Sequence, residues 1–310
     1  MNRAPQNNSA DLEALAVQLE KSGQFRVLRR LIPHTTFHDG SGVLLPKIGV
    51  VLDVETTGLD VSQDEIIELG MLKFEYSLDG LVLRVLDRFE SLREPSVPVS
   101  TYVQKLTGIH SDSLLGRSID PAVVSKFIDD ASLVVAHNAA FDRPFCEREY
   151  PAFVRKAWAC TMSEVDWVEE GFHSLSLKAL LEDYRLFYES HRAIEDCQAL
   201  LELMTKVLPN SRKGAFESLL NVARIPVVRV WAEGAPYEQK DLLKARGYKW
   251  SDGSNGGLRS WWIDLKEEEL ASELKFLAAT VRSANGSADR FPTKRITAFD
   301  RFSNRAFFPD

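Results

Sequence analysis

Residues 48–52 form a short apolar run that stops at two carboxylates, Asp53 and Glu55, spaced two apart. A run too short for a helix and without polar alternation reads as a strand buried on both faces. Elements to either side must therefore cover it. Period-two alternation sends Asp53 and Glu55 to one face at the strand's end. Two adjacent carboxylates repel, and at neutral pH the pair is best tolerated with a divalent cation between them. A polar turn after a core strand is the plain alternative, and for D-x-E alone it is the commoner case.

A second apolar run, residues 133–136, leads directly into His137 and Asn138 and then to Asp142 at the start of an expected helix. A rigid strand end positions such a carboxylate well, although an acid in a first helical turn is also favoured by the helix dipole. In the third stretch, His191 precedes Asp196 by five residues. Five helical residues turn through about 500°, so the two cannot share a helix face. His191 is thus expected in the loop or first turn and Asp196 inside the helix. Ala193, Cys197, Leu200, Leu201 and Met204 make one face of that helix apolar, which would press it onto the sheet and turn Asp196 inward.

Around these stretches the pattern alternates. Residues 66–76 and 81–89 read as two further strands, joined by loops short enough for antiparallel neighbours. Helices are expected near 101–106, over 123–128 behind Pro121, and near 141–150, 175–183 and 193–207. Three strands followed by alternating helix and strand predict an α/β or α+β sheet covered by helices. Residues 11–31 carry a helical period broken at Ser22-Gly23 and read as two short helices, able to serve dimerisation or to cover a sheet edge. The divisions are a helical N-terminal segment 1–46, a main domain 47–208, a small α+β domain 226–281 and a basic tail 282–310. The tail is read as a peptide that docks on a partner or packs back on the domain.

Composition sets the outer limits. At 310 residues, 45% hydrophobic and 27% charged, the chain suits about two folding units and is not mainly disordered. Cys146, Cys160 and Cys197 form an odd set without CxxC spacing, against a disulfide framework or structural zinc. The polar opening and the absence of a long apolar run argue against export and membrane insertion, so a cytoplasmic location is expected. The net charge of -7 speaks at first sight against a nucleic-acid partner. It divides, however, into +1 over 1–46, -12 over 47–208 and +4 over 209–310. An acidic centre suits a carboxylate-lined metal site whose cations supply the local positive charge, with solvated surface charge as the bland alternative.

Together the three stretches resemble the DnaQ-like, DEDDh-type 3'-to-5' exonucleases, over roughly residues 47–208. Asp53 and Glu55 match the first motif with Thr56, Thr57, Gly58 and Leu59. His137, Asn138, Phe141 and Asp142 match the second, and His191 with Asp196 the third. The LTGIH stretch that contains Thr107 and His110 is similar to the segment between the first two motifs. Cys197 stands where a small residue such as alanine is frequent, a departure expected to affect packing only.

The resemblance implies an RNase H-like mixed sheet flanked by helices and a metal-dependent 3'-5' exonuclease that releases nucleoside 5'-monophosphates from single-stranded nucleic acid. It implies two Mg²⁺ or Mn²⁺ ions held by Asp53, Glu55, Asp142 and Asp196, suited to an in-line displacement when about 3.5–4 Å apart, with His191 as general base. Thr56, Thr57 and Gly58 would contact the terminal nucleotide, Leu59 and Phe141 would lie near its base, and His137 and Asn138 would line the same site. Core packing is the alternative for Leu59 and Phe141. The implied partner is a DNA or RNA 3' end, and beyond it a DNA polymerase if the role is proofreading, like that of the epsilon chain of bacterial replicative polymerase. An RNA-trimming enzyme and a non-catalytic binding module are the competing readings.

The stretch from Tyr237 to Leu265 is similar to small domains found beside bacterial nucleic-acid enzymes. Lys240, Lys244, Arg246, Lys249 and Arg259 interleave there with Tyr248, Trp250, Trp261 and Trp262, a composition compatible with phosphate contact and base stacking. The competing reading puts the tryptophans in a core.

Overall fold

The computed structural model describes residues 9–254, 256–281 and 291–309. Residues 1–8 of the expected N-terminal segment, 282–290 and Asp310 of the expected tail, and Asn255 lie outside the described residues. The centre is a five-stranded mixed sheet made of β1 (Lys47–Thr56), β2 (Ile66–Tyr76), β3 (Val82–Leu92), β4 (Leu133–Ala136) and β5 (Trp158–Cys160). Its spatial order is β3-β2-β1-β4-β5, with β2 antiparallel to both β3 and β1, and with β4 and β5 parallel to β1. This mixed sheet covered by helices is the fold class that the sequence implies.

β1 lies at the middle because it is apolar on both faces. Val51 joins one core, and Val50 and Leu52 join the other. Helix α1 (Ser9–Lys21) is N-terminal, and α2 (Thr101–Thr107) and α3 (Pro121–Ile128) follow β3. Ser100 accepts from the Val103 amide and Asp120 from the Ala122 amide, which fixes both helix starts. Helix α4 (Ala139–Glu149) leaves β4 after a two-residue turn, and α5 (Leu177–Asp183) and α6 (Ala193–Met204) complete the cover. Among the described residues no helix is long and apolar enough to cross a membrane.

One expectation changes. The second N-terminal helix does not form, because residues 29–31 run extended beside Leu186 and Phe187. There the Arg29 amide donates to the Arg185 carbonyl (2.8 Å) and the Leu31 amide to that of Phe187 (2.8 Å). Tertiary pairing outweighs local period, and the Arg29 side chain, bonded to Glu13 and Glu20, holds α1 in place. The tail packs back on the domain, one of the two readings given for it, since Thr293–Ile296 is a strand. It pairs with Val227–Ala232 at the end of a four-stranded antiparallel sheet, which the strands Ser260–Leu265 and Lys249–Ser251 complete. In this sheet Trp231 and Trp261 are buried and Trp250 is half exposed.

Residues 297–309 fasten the two sheets together. The Trp158 amide on the edge strand β5 donates to the Ala298 carbonyl (2.8 Å). Arg143, fully buried on α4, donates to the carbonyls of Ala298 (3.2 Å), Phe299 (2.5 Å) and Arg301 (2.6 Å) and to Glu147 (2.8 Å). On the other side, Arg229 donates to the Ala306 carbonyl (3.2 Å) while Phe307 meets Trp262 edge-on. A buried guanidinium is tolerable only while its donors are satisfied. Arg143→Ala leaves three carbonyls and Glu147 short of a donor, so it is expected to cost about 3–5 kcal/mol of stability. Urea unfolding of the variant measures this, and an unchanged midpoint would show that the contacts carry no stability.

Candidate active site

Asp53 and Glu55 emerge at the end of β1, on the face that α6 covers. Directly across the ladder, Asp53 is paired with Gly70 and Glu55 with Glu68, and the register slips between Glu55 and Thr56 as the strand turns away. Gly70 is required by a close approach. A Cβ there would lie 2.5 Å from the Ala193 carbonyl carbon and 2.7 Å from the Ile194 amide nitrogen. The first turn of α6 therefore rests against bare backbone and brings Asp196 beside Asp53. The Cys197 thiol, buried beneath, donates to the Gly70 carbonyl (3.3 Å), so its part is packing.

Asp196 is held firmly. Its carboxylate accepts from the Tyr188 hydroxyl (2.7 Å) and from the amides of His191 (2.8 Å) and Arg192 (3.2 Å). His191 precedes α6 with φ 69°, exposed and bordering the cavity. Asp142 is buried in the first turn of α4 and accepts from the Val54 amide (3.2 Å). That amide lies beyond the last pairing of β1 with β4, at Val51.

Asp53, Glu55, Asp142, Asp196 and His191 thus line one cavity of about 580 Å³, together with Thr56, Thr57, Gly58, Leu59, His137, Asn138 and Phe141. Tyr102 and Leu106 of α2 form a further wall. Leu59 is 84% exposed at the rim, not in a core, whereas Phe141 is half-buried against Phe145 as well as facing the cavity. The Thr56 hydroxyl donates to the Gly58 carbonyl (2.5 Å) and that of Thr57 to Asp64 (2.9 Å), so both shape the turn. The His137 ring is held by the Thr161 hydroxyl (2.8 Å) and the Leu175 carbonyl (2.7 Å). Because a carbonyl only accepts, Nε2 carries the proton and donates to Leu175, while Nδ1 accepts from Thr161. Burial pushes this imidazole down to about 4, so it is neutral at pH 7.

All four acids are displaced upward. Burial lifts Asp53 well above the ordinary carboxylate range, with repulsion from Asp196, Asp142 and Glu55 adding to it. Burial and then Asp196 push Glu55 up to about 8, and burial pushes Asp142 up to about 7. Asp196 rises for the same reason, opposed by the Tyr188 and His191 hydrogen bonds. Among the described residues no lysine or arginine lines the cavity. Ligand oxygens of Asp53, Glu55 and Asp196 lie within 4.8 Å of one another, an arrangement fit for a hard divalent cation. Asp142 borders the same space outside that trio.

The family comparison agrees with this geometry. A model of the exonuclease family RNase_T matches residues 50–204. The chain belongs to this exonuclease family. PolC-type DNA polymerase III of Caldanaerobacter subterraneus subsp. tengcongensis is 29% identical over 186 residues, covering 58% of this chain and 13% of that protein. Its counterpart in Bacillus subtilis is 33% identical over 178 residues, covering 54% of this chain and 12% of that protein. The exonuclease therefore spans only a small part of the length of these relatives. A solved structure of Exonuclease X in complex with 5' overhanging duplex DNA aligns over 56% of this chain and 98% of that one, at 23% identity and TM-score 0.40.

Several residues of the exonuclease site escape motif reading. Glu68, Gly70 and Tyr188 act by packing and hydrogen bonding from outside the three motifs. The one visible signal was an acid, Glu68, inside the apolar strand 66–72.

Two expectations follow from the geometry. A carboxylate whose folded pKa is raised contributes stability that is fully present below about pH 4, its unfolded value, and is lost as pH rises through the folded value. For Asp142 and Glu55 that loss runs up to about 7 and 8. The metal-free protein is therefore expected to lose thermal stability from pH 5 to 8, and added Mn²⁺ to raise the melting temperature more at pH 8 than at pH 5. Differential scanning fluorimetry reads this, and a melting temperature indifferent to the cation at pH 8 would count against a cation site. Gly70→Ala is expected to destabilise by about 1–3 kcal/mol through overpacking against α6, which denaturant unfolding measures.

Proposed function

We propose that this exonuclease removes nucleotides one at a time from the 3' end of single-stranded DNA, with Mg²⁺ or Mn²⁺ and His191 as general base. The observation that carries the reading is the carboxylate trio of Asp53, Glu55 and Asp196 on the cavity floor with His191 beside it. Divalent cations held by Asp53, Glu55, Asp142 and Asp196 would supply Lewis-acid polarisation of the phosphodiester and neutralise its charge. His191 takes the proton of the attacking water from a position fixed by the backbone of the 191–192 turn. The water oxygen bonds to phosphorus as the bond to the upstream 3'-oxygen breaks. That oxygen leaves with the bonding pair and takes a proton from solvent water to become a hydroxyl, His191 returns its proton to solvent, and the terminal residue leaves as a nucleoside 5'-monophosphate.

The remaining lining residues suit a single terminal nucleotide. Backbone at Thr56 and Thr57 contacts its 3'-hydroxyl, while Leu59 and Phe141 grip its base from the rim and the wall. Apolar contact of this kind accepts any base, so sequence preference is weak. DNA is favoured over RNA because the relatives reported above are DNA polymerases, and the same likeness supports proofreading beside a polymerase. The C-terminal domain lies outside the matched family region.

End-labelled single-stranded DNA and RNA, incubated with Mg²⁺, Mn²⁺ or EDTA, test the proposal. A ladder shortening from the 3' end of DNA, abolished by EDTA, is expected. Faster shortening of RNA would reassign the substrate, and intact oligonucleotides that only shift in a gel would make the protein a binding module. His191→Ala is expected to lower kcat by roughly 100-fold or more while Mn²⁺ binding by calorimetry survives. A wild-type rate would remove His191 from the mechanism.

A further inference from the structure

Glu68 is a buried acid beside the cavity to which the proposed chemistry gives no part. It is fully buried on β2, opposite Glu55 in the ladder, yet it neither lines the cavity nor belongs to the trio that could hold an ion. Its oxygens face the start of α6. They accept from Arg192 Nε (3.2 Å) and Nη2 (2.9 Å) and from the Ala193 amide (3.0 Å). Arg192 is the residue at which α6 begins, and its own side chain makes no cap. The orphan amide of the first turn is thus satisfied from across the sheet, by a charge on a different strand.

The clamp holds a conformation that does not hold itself. His191 has φ 69°, a left-handed backbone that residues with side chains rarely adopt and that persists where the surroundings fix it. On one side Asp196 takes the His191 and Arg192 amides, and on the other Glu68 takes the Arg192 guanidinium and the Ala193 amide. Arg192 also reaches Glu90 on β3 (3.4 Å), so its charge remains partnered at the surface. We propose that Glu68, acting through Arg192, is a positioning residue that fixes His191 over the acidic floor. The inference rests on the reading of His191 as the general base.

The test is a double-mutant cycle on a single-stranded oligonucleotide with the full chain: wild type, Glu68→Gln, His191→Ala and the double variant. Glu68→Gln keeps the shape and removes the charge. A misplacement of the base of about 1 Å is enough for a loss of roughly 10- to 100-fold in kcat. KM and the calorimetric affinity for Mn²⁺ are expected to stay within about twofold, and in the His191→Ala background the same change is expected to alter kcat by no more than about twofold. Arg192→Lys, which keeps the charge without the planar fork, should fall between wild type and Arg192→Ala. Equal losses from Glu68→Gln in both backgrounds, or a folded Glu68→Gln enzyme at the wild-type rate, would overturn the proposal alone. A wild-type rate for His191→Ala would overturn it together with the reading of the base. If Glu68→Gln melts below the assay temperature, the same cycle run with Arg192→Gln decides by the same criterion.

Discussion

The site depends on one close approach, that of the first turn of α6 to β2 at Gly70. Asp53 stands directly across the ladder from this glycine, and Asp196 sits on the turn that presses against it. The contact gathers like charges, which the fold must overcome. Ile194, Leu200, Leu201, Leu203 and Met204 all enter the core beneath α6. At about 1.5–3 kcal/mol each, their burial amounts to on the order of 10 kcal/mol as an upper bound. The burial that pushes Glu55 up to about 8 and Asp142 up to about 7 opposes this by several kcal/mol at neutral pH. Burial is the larger cause of both shifts and repulsion from Asp196 adds to it, so a divalent cation placed among these acids would relieve both.

Helix starts at the site are fixed by hydrogen bonds that reach across the chain. Asp142 joins α4 to the Val54 amide, Glu68 joins α6 to β2, and Asp196 closes the turn before its own helix. Acids near helix N-termini are favoured electrostatically, so each of these groups serves the fold as it serves the cavity. The cavity wall formed by α2 is of a different kind. Tyr102 and Leu106 expose apolar surface to the cavity.

Much of the central sheet was legible because β1, β2 and β4 carry apolar runs bounded by turn formers. The strand Ile66–Tyr76 has the limits expected from the sequence, and Leu133–Ala136 was marked by four consecutive apolar residues. The residues that converge on the cavity were legible only through motif resemblance, since period alone cannot say that residues 53, 142 and 196 meet. Tyr188 was not legible in either way, and Glu68 was marked only as an acid inside an apolar strand. Tyr188 itself stands outside the motifs and Glu68 is distant in sequence from its partners Arg192 and Ala193, so only the packed structure pairs them. The extended segment at residues 29–31 failed for the same reason, its backbone being satisfied by residues 185–187. In the tail, residues 297–309 lack periodicity because they work through carbonyls, which the sequence does not display, offered to the buried Arg143.

The central claim is that separated acids meet around divalent cations. Crystals soaked in Mn²⁺ and measured at the manganese absorption edge test it most directly. Anomalous density among the oxygens of Asp53, Glu55 and Asp196 is the expected result. Crystals with those side chains ordered and no density among them, or with manganese bound only elsewhere, would contradict the account.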